Sequence, residues 1–304
     1  GGLAKSGAQI AVLGGDNTYE GTTAVNAGIL RISHPRALGS TLAATTVADS
    51  SRLELAGNIT VTGETVSIIG KGLNNNGALQ VQAGINTWAG PVLIGNSEAR
   101  IGVNAPTGAL IVSGTIDDGP NTYPLIVRNA NDGGPVVISG TNTYGGETQI
   151  IVGLVKLSDG PNRLPTNTVI RLGNTANQGY SIFDLNGQNQ TVAGITQENS
   201  TSVRKITNGL PSQVATLTVN TFLSNDTYSA LLSGNLNLEK TGEYALTLTG
   251  NNEFTGVASV RQGTVLLGVP FAVMDAVVNT GAGPMGALAF GTNTVVNFGG
   301  LVGT

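Results

Sequence analysis

The sequence predicts an all-β chain wound as a right-handed parallel β-helix, a β-solenoid. Three observations predict it: a strand-corner-strand phrase written three times, apolar residues alternating with no helical period, and Gly and Asn wherever the alternation breaks. Each copy is too short to bury its own apolar face, so it needs neighbouring coils. Residues 1–304 are therefore expected to form one continuous elongated segment of about 12 to 15 coils, each rising about 4.8 Å.

The phrase is VLGGDNTYEGTTAVNAGILRI from Val12, VISGTNTYGGETQIIVGLVKL from Val137 and TLTGNNEFTGVASVRQGTVLL from Thr247, and the copies align without a gap. Asn17, Asn142 and Asn252 correspond, as do Tyr19, Tyr144 and Phe254, and then Gly21, Gly146 and Gly256. Thr23 and Val25 point inward on one strand, and Leu30 and Ile32 do so on the next. The inward parity changes between them, which places a bend at Gly28 and at its counterparts Gly153 and Gly263. With their lead-ins the repeats occupy about 3–32, 125–157 and 238–267. LAKSGAQ from Leu3 and LEKTGEY from Leu238 place Leu, Lys and Gly at equal distances, whereas the lead-in from Leu125 is longer. TNTVIRLG at 166–173 returns as TNTVVNFG at 292–299, so the chain is expected to stop in mid-repeat. The stretch 114–134, with Asp117, Asp118, Pro120, Tyr123 and Pro124, lacks the repeat skeleton. It is read either as a projecting loop or as a coil with a longer corner.

Of the 304 residues 45 are Gly, none is Cys and 11% are charged, with a formal net charge of -4. Scattered single cations such as Lys5, Lys71, Lys156 and Lys240 offer no phosphate-binding patch, so no nucleic-acid partner is expected. No apolar run approaches the roughly 20 residues that cross a bilayer as a helix, and no membrane insertion is expected of this segment. Lack of Cys removes disulfides, thiolate metal sites and thiol catalysis. Any export signal is expected to be already removed or to lie upstream of Gly1. The few aromatics, 4% of residues, suggest a narrow core of aliphatic stacks, with Trp88 a local anchor or an exposed contact rather than a cofactor platform.

The phrase G-x-N-x-[YF]-x-G followed by V-x-x-G-x-[LV]-x-[LI], as in Gly15 to Ile32, resembles the passenger-associated β-strand repeat of bacterial autotransporters. The second copy departs from that pattern at Ile151 and Val152, and the third at Arg261 and Gln262. The resemblance implies a parallel β-helix exported to the cell surface, and it implies nothing about activity. It also implies a membrane-anchoring barrel beyond this segment, so the chain is expected to be a piece of a longer passenger.

Catalytic groups are scarce. The single histidine, His34, follows a strand beside Pro35 and reads as a corner residue, and no Ser sits in a G-x-S-x-G elbow. Asp117 and Asp118 form the one adjacent acidic pair and read first as a turn before Gly119 and Pro120. Glu54, Glu64 and Glu98 are candidates for convergence across coils, as in polysaccharide-cleaving enzymes with paired carboxylates. Asp16, Asp132 and Asp159 stand singly beside Gly or Asn and read as turn residues, not calcium ligands. Asn74, Asn75 and Asn76 suit sugar hydroxyls, but also left-handed corners. No catalytic, cofactor-binding or metal-ligating residue is assigned, and no cofactor is expected.

The expected function is that of an extracellular, non-catalytic structural or adhesive shaft at the bacterial cell surface. Its expected partners are other cell surfaces, matrix, glycans or copies of itself. Two alternatives are a filament subunit stacking end to end through open strand edges, and a polysaccharide-active enzyme using outward carboxylates.

Overall fold

The computed structural model describes residues 1–130, 132–176, 179–198, 202–279, 285–292 and 295–303. Asn131, Asn293 and Thr294, which fall within stretches singled out in the sequence, lie outside the described residues. Among those described there is no α-helix, and one 3-10 turn spans Leu73–Asn75. The strand pairs are parallel, and the chain is a β-solenoid of about 12 turns. Two compact units divide it, Gly1–Val155 and Lys156–Thr304.

The first unit has three faces. One stacks Leu3–Lys5, Thr23–Val25, Thr45–Val47, Val66–Ile68, Val92–Ile94 and Ile116–Asp117. The second stacks Ile10–Leu13, Ile29–Ile32, Arg52–Leu55, Leu79–Val81, Arg100–Val103, Leu125–Arg128 and the start of Thr148–Leu157. The third begins only at Thr60–Val61 and continues through Ile85–Trp88, Ala109–Val112 and Val136–Ile138. Before Thr60 the chain turns from the second face back to the first without a strand, through 14–22 and then 33–44. The stretch 114–134 supplies Ile116–Asp117 and Leu125–Arg128 to the first two faces, with turns after each.

In the second unit a six-strand ladder runs through Gln190–Val192, Ala215–Asn220, Leu236–Thr241, Val257–Val260, Val273–Asn279 and Phe298–Val302. A four-strand ladder runs through Asp226–Tyr228, Ala245–Leu248, Gln262–Leu267 and Met285–Ala289. Ser181–Asp184, Arg204–Asn208, Leu231–Gly234 and Glu253–Phe254 form another.

Parallel register places like side chains over one another. Leu30, Leu53, Leu79, Ile101, Val127 and Ile150 make one interior column of the first unit, each at most 1% exposed. Each aliphatic chain removed from water stabilises by about 1.5–3 kcal/mol. Val155 and Val265 are likewise buried. The repeat thus seeds columns that other strands continue, and Ile150, counterpart of Val25, continues the column of Leu30.

Gly28 makes the bend its parity change requires. It lies between Thr23–Val25 and Ile29–Ile32 with φ +70°, and a Cβ there would come within 2.5 Å of the Gly7 carbonyl oxygen. Gly263 repeats this with φ +71°. In the second copy the corner is softer. Gly153 has φ +121°, the strand runs unbroken over Thr148–Leu157, and its pairing shifts register between Val127 and Arg128. There Ile151 and Val152, where this copy departs from the family pattern, are buried with Ile126.

The expected ring-poor interior is corrected by the structure. Trp88, Tyr144, Phe183, Tyr228 and Phe254 are all fully buried, and Trp88 donates its ring N–H to the Pro91 carbonyl at 3.4 Å. The buried hydroxyls of Tyr144 and Tyr228 also find partners, Thr148 at 2.5 Å and the Leu231 carbonyl at 3.4 Å.

Candidate functional site

The repeat phrase builds a corner whose polar groups reach from coil to coil. Its most buried charged group comes from the lead-in. Lys5 lies on the inward side of its strand opposite Val25, and Lys240 lies between Val219 and Val260, so each alkyl stem fills a place in an aliphatic column. The ammonium of Lys5 donates to the carbonyls of Gly7 at 2.7 Å, Ala27 at 2.8 Å and Ser6 at 3.4 Å. Lys240 donates to the equivalent carbonyls of Gly242 at 2.8 Å, Gln262 at 3.1 Å and Thr241 at 2.6 Å. Three donors thus meet three carbonyls beside each glycine bend. Burial pulls Lys240 down to about 8, opposed by the charge of Asp226. Burial in turn raises Asp226, whose carboxylate accepts the Ile195 N–H at 2.9 Å.

The second copy has Val127 at the lysine position, facing Ile150. Asn129 takes over the corner: its backbone N–H donates to the Val152 carbonyl at 2.9 Å, and its side chain joins Val103 N–H at 2.9 Å to the Gly134 carbonyl at 2.7 Å.

The repeated Asn is a rung. Asn252 accepts the Leu232 N–H at 2.8 Å and donates to the Ala272 carbonyl at 2.8 Å, linking the preceding and following coils. Asn142 accepts the Ile116 N–H at 2.7 Å, and Asn17 donates to the Ala37 carbonyl at 2.7 Å. The aromatic of the phrase is paired with a residue four places on. Tyr19 hydroxyl meets Thr23 at 2.7 Å and Tyr144 meets Thr148 at 2.5 Å, whereas the third copy has Phe254 and Ala258, losing both hydroxyls together.

Asp117, Asp118, Glu54, Glu64 and Glu98 are held by different partners. Asp118 is buried and accepts the N–H groups of Tyr123 at 2.7 Å and Gly145 at 3.2 Å, holding its turn and the next coil. Asp117 accepts Gly119 N–H at 2.7 Å and the Thr143 hydroxyl. Glu54 accepts from Arg31 at 2.8 and 2.9 Å and from Arg52 at 3.2 Å, beneath a flap at 72–77 whose Leu73 and Gly77 carbonyls cap Arg52. Glu98 pairs with Lys71 at 2.6 Å. Asn74 and Asn75 take left-handed angles in that flap, with φ 56° and 62°. His34 accepts the Arg36 N–H at 3.2 Å in its corner. Asp16 pairs with Arg36 at 2.9 Å, Asp159 has φ 63° and Asp132 sits in a turn. Among the described residues no group of three or more His, Cys, Asp or Glu is placed to hold a metal ion.

Glu64 is the exception in its environment. It accepts the Thr45 hydroxyl at 2.7 Å through one carboxyl oxygen, and the other is buried with no partner. Burial raises its pKa above 4.5, partly opposed by Thr45. Below about pH 4.5 both folded and unfolded chains hold this proton, and above it the unfolded chain releases it first. Stability is therefore lost as pH rises through the folded-state value. Glu64→Gln is expected to gain urea resistance over the native chain between pH 4.5 and 8 and to match it near pH 4. A constant difference across that range contradicts this.

Two grooves open beside repeat turns. One of about 540 Å³ lies in the first unit along Asn17, Thr18, Arg36, Ser40, Thr60 and Thr62. Another of about 190 Å³ lies in the second unit along Asn251, Asn252, Glu253, Phe271 and Met274.

These corners define a class, a parallel solenoid whose repeats cap their own bends. The family described as passenger-associated-transport-repeat matches residues 3–32, 131–156 and 238–267. The chain thus carries three autotransporter passenger repeats, and with its fold it fits an autotransporter passenger. The second match begins at residue 131, leaving out the strand in which Val127 replaces the lysine. No curated protein and no solved structure matches the chain.

The lysine cage and the Tyr and Thr pair were missed by sequence reasoning. The signals were present: Lys at equal spacing in two lead-ins, and the joint change to Phe254 and Ala258.

Proposed function

We propose that this chain is a non-catalytic shaft segment of a surface-displayed autotransporter passenger, exported from a bacterium and presenting its outer faces to other cells, to matrix or to glycans. The observation that carries it is the agreement between the three repeat matches and a solenoid in which the candidate acids serve turns, ion pairs or coil-to-coil bonds. The repeat family is one of secreted passengers, which supports a location outside the outer membrane.

The test is display. Fused ahead of an outer-membrane barrel, the chain should become accessible to antibody on intact cells and raise their attachment to a surface. The purified chain should release no reducing ends from polysaccharides and no fragments from peptides. Turnover that disappears in Asp117→Asn or Glu54→Gln would overturn the non-catalytic reading, and failure to reach the surface would overturn the passenger reading.

A further inference from the structure

The repeat continues past its matched stretch and builds the same groove twice. After Ile32 the chain reads S-H-P-R-A-L (33–38), and after Leu267 it reads G-V-P-F-A-V (268–273). The second copy, S-D-G-P-N-R-L (158–164), has one residue more. In the first and third copies the turn Asn fastens to this loop by the same two bonds. Asn17 donates its N–H to the Arg36 carbonyl at 3.1 Å and its amide to Ala37 at 2.7 Å. Asn252 donates to Phe271 at 3.3 Å and to Ala272 at 2.8 Å.

The grooves between turn and loop are lined at equivalent positions: Asn17, Thr18, Arg36 and Gly39 in the first copy, and Asn252, Glu253, Phe271 and Met274 in the third. The frame is kept while the lining changes from polar to aromatic. A packing role would restrict those side chains, yet Arg36, Glu253, Phe271 and Met274 are exposed. In the third copy an open ring stands beside an amide, Asn251, and a carboxylate, Glu253. In the first, hydroxyls, the Glu20 carboxylate and the Arg36 guanidinium, which pairs with Asp16 at 2.9 Å, face a wider space. A sugar ring has an apolar face that stacks on an aromatic and edge hydroxyls that donate to carboxylate and accept from amide.

We propose that the groove between the Asn turn and the following Pro loop is a saccharide-binding site, with a neutral pyranose stacked on Phe271 and its hydroxyls bonded to Asn251 and Glu253 in the third copy. The first copy offers the same position to a more polar saccharide beside Arg36. This rests on the shaft reading and deepens it, since it names the groove and the class of saccharide through which an outer face takes a glycan.

The experiment titrates the whole chain with neutral hexasaccharides of glucose, N-acetylglucosamine and mannose by calorimetry, at up to millimolar sugar. At least one should bind, and Phe271→Ala should weaken it about tenfold. Leu42→Ala, at a side chain 83% exposed and outside both linings, should leave binding unchanged. If Phe271→Ala lowers the melting temperature, Phe271→Leu keeps the apolar bulk without the ring and must show the same loss. No binding by any hexasaccharide, or equal binding by the Phe271 variants, overturns the proposal. Neither result changes the display outcome above, so the two readings fail separately.

Discussion

Replacing Lys240 with methionine is expected to lower the stability of the second unit by about 2–4 kcal/mol, although the alkyl stem and its packing against Val219 and Val260 are kept. The loss comes from the carbonyls of Thr241, Gly242 and Gln262, which lose their side-chain donor at 2.6–3.1 Å inside a corner where Lys240 is fully buried. The comparison is also pH-dependent. Burial holds Lys240 at about 8 in the folded chain, while the unfolded chain keeps the proton to about 10.5. Between those values the unfolded state binds more protons, so the contribution of Lys240 to stability rises with pH, and below about 8 it is flat. The gap between native chain and Lys240→Met should therefore widen from pH 8 towards 10. Denaturant midpoints at pH 7, 8.5 and 10 check this. A variant as stable as the native chain at pH 7 would show that the cage is incidental.

Trp88→Ala is expected to cost about 3–5 kcal/mol in the first unit. The ring is fully buried in Ile85–Trp88, stacked between Val61 and Val112 in adjacent coils, and its removal leaves a cavity that the parallel ladder on either side cannot close. Because coils contact mainly their neighbours, the damage should be local. Hydrogen exchange should quicken first in Thr60–Val61, Ile85–Trp88 and Ala109–Val112. Uniform acceleration over residues 1–155 would argue against nearest-neighbour stacking.

Much of the strand-corner-strand architecture was legible because it rests on two local rules. Alternation sets which side chains enter the core, and Gly28 and Gly263 stand where the alternation slips by one residue. The left-handed Asn74 and Asn75 were legible for a similar reason, since short amides tolerate that geometry. The lysine cage was not. A single Lys in a β-run reads as a solvated charge, and its role depends on carbonyls contributed by a corner 22 residues further on, as with Lys5 and Ala27. Trp88 was undecided between anchor and exposed contact, because its burial depends on coils that lack the repeat skeleton. The partnering of Glu54 was hidden too: Arg52 is capped by Leu73 and Gly77, and Arg100 and Arg128 reach the Asn75 carbonyl at 3.1 and 3.2 Å, over separations no periodicity reveals. The grooves depend on the loop at 33–38 and its counterpart at 268–273, which share little beyond Pro and Ala, so the likeness emerges only once Asn17 and Asn252 are seen to fasten to them.

The central claim is parallel, in-register stacking of successive coils, and the chain's lack of Cys makes it open to a direct chemical test. Ala24 and Thr46 are register partners on adjacent coils of the first face, with side chains turned outward, whereas Leu93 on the same face lies three coils from Ala24. Directly opposed strand residues sit about 4.8 Å apart, within the span a disulfide bridges. Under mild oxidation Ala24→Cys with Thr46→Cys should form an intramolecular disulfide in high yield, and Ala24→Cys with Leu93→Cys should stay reduced. Efficient bridging of the second pair and none of the first would contradict the stacked solenoid.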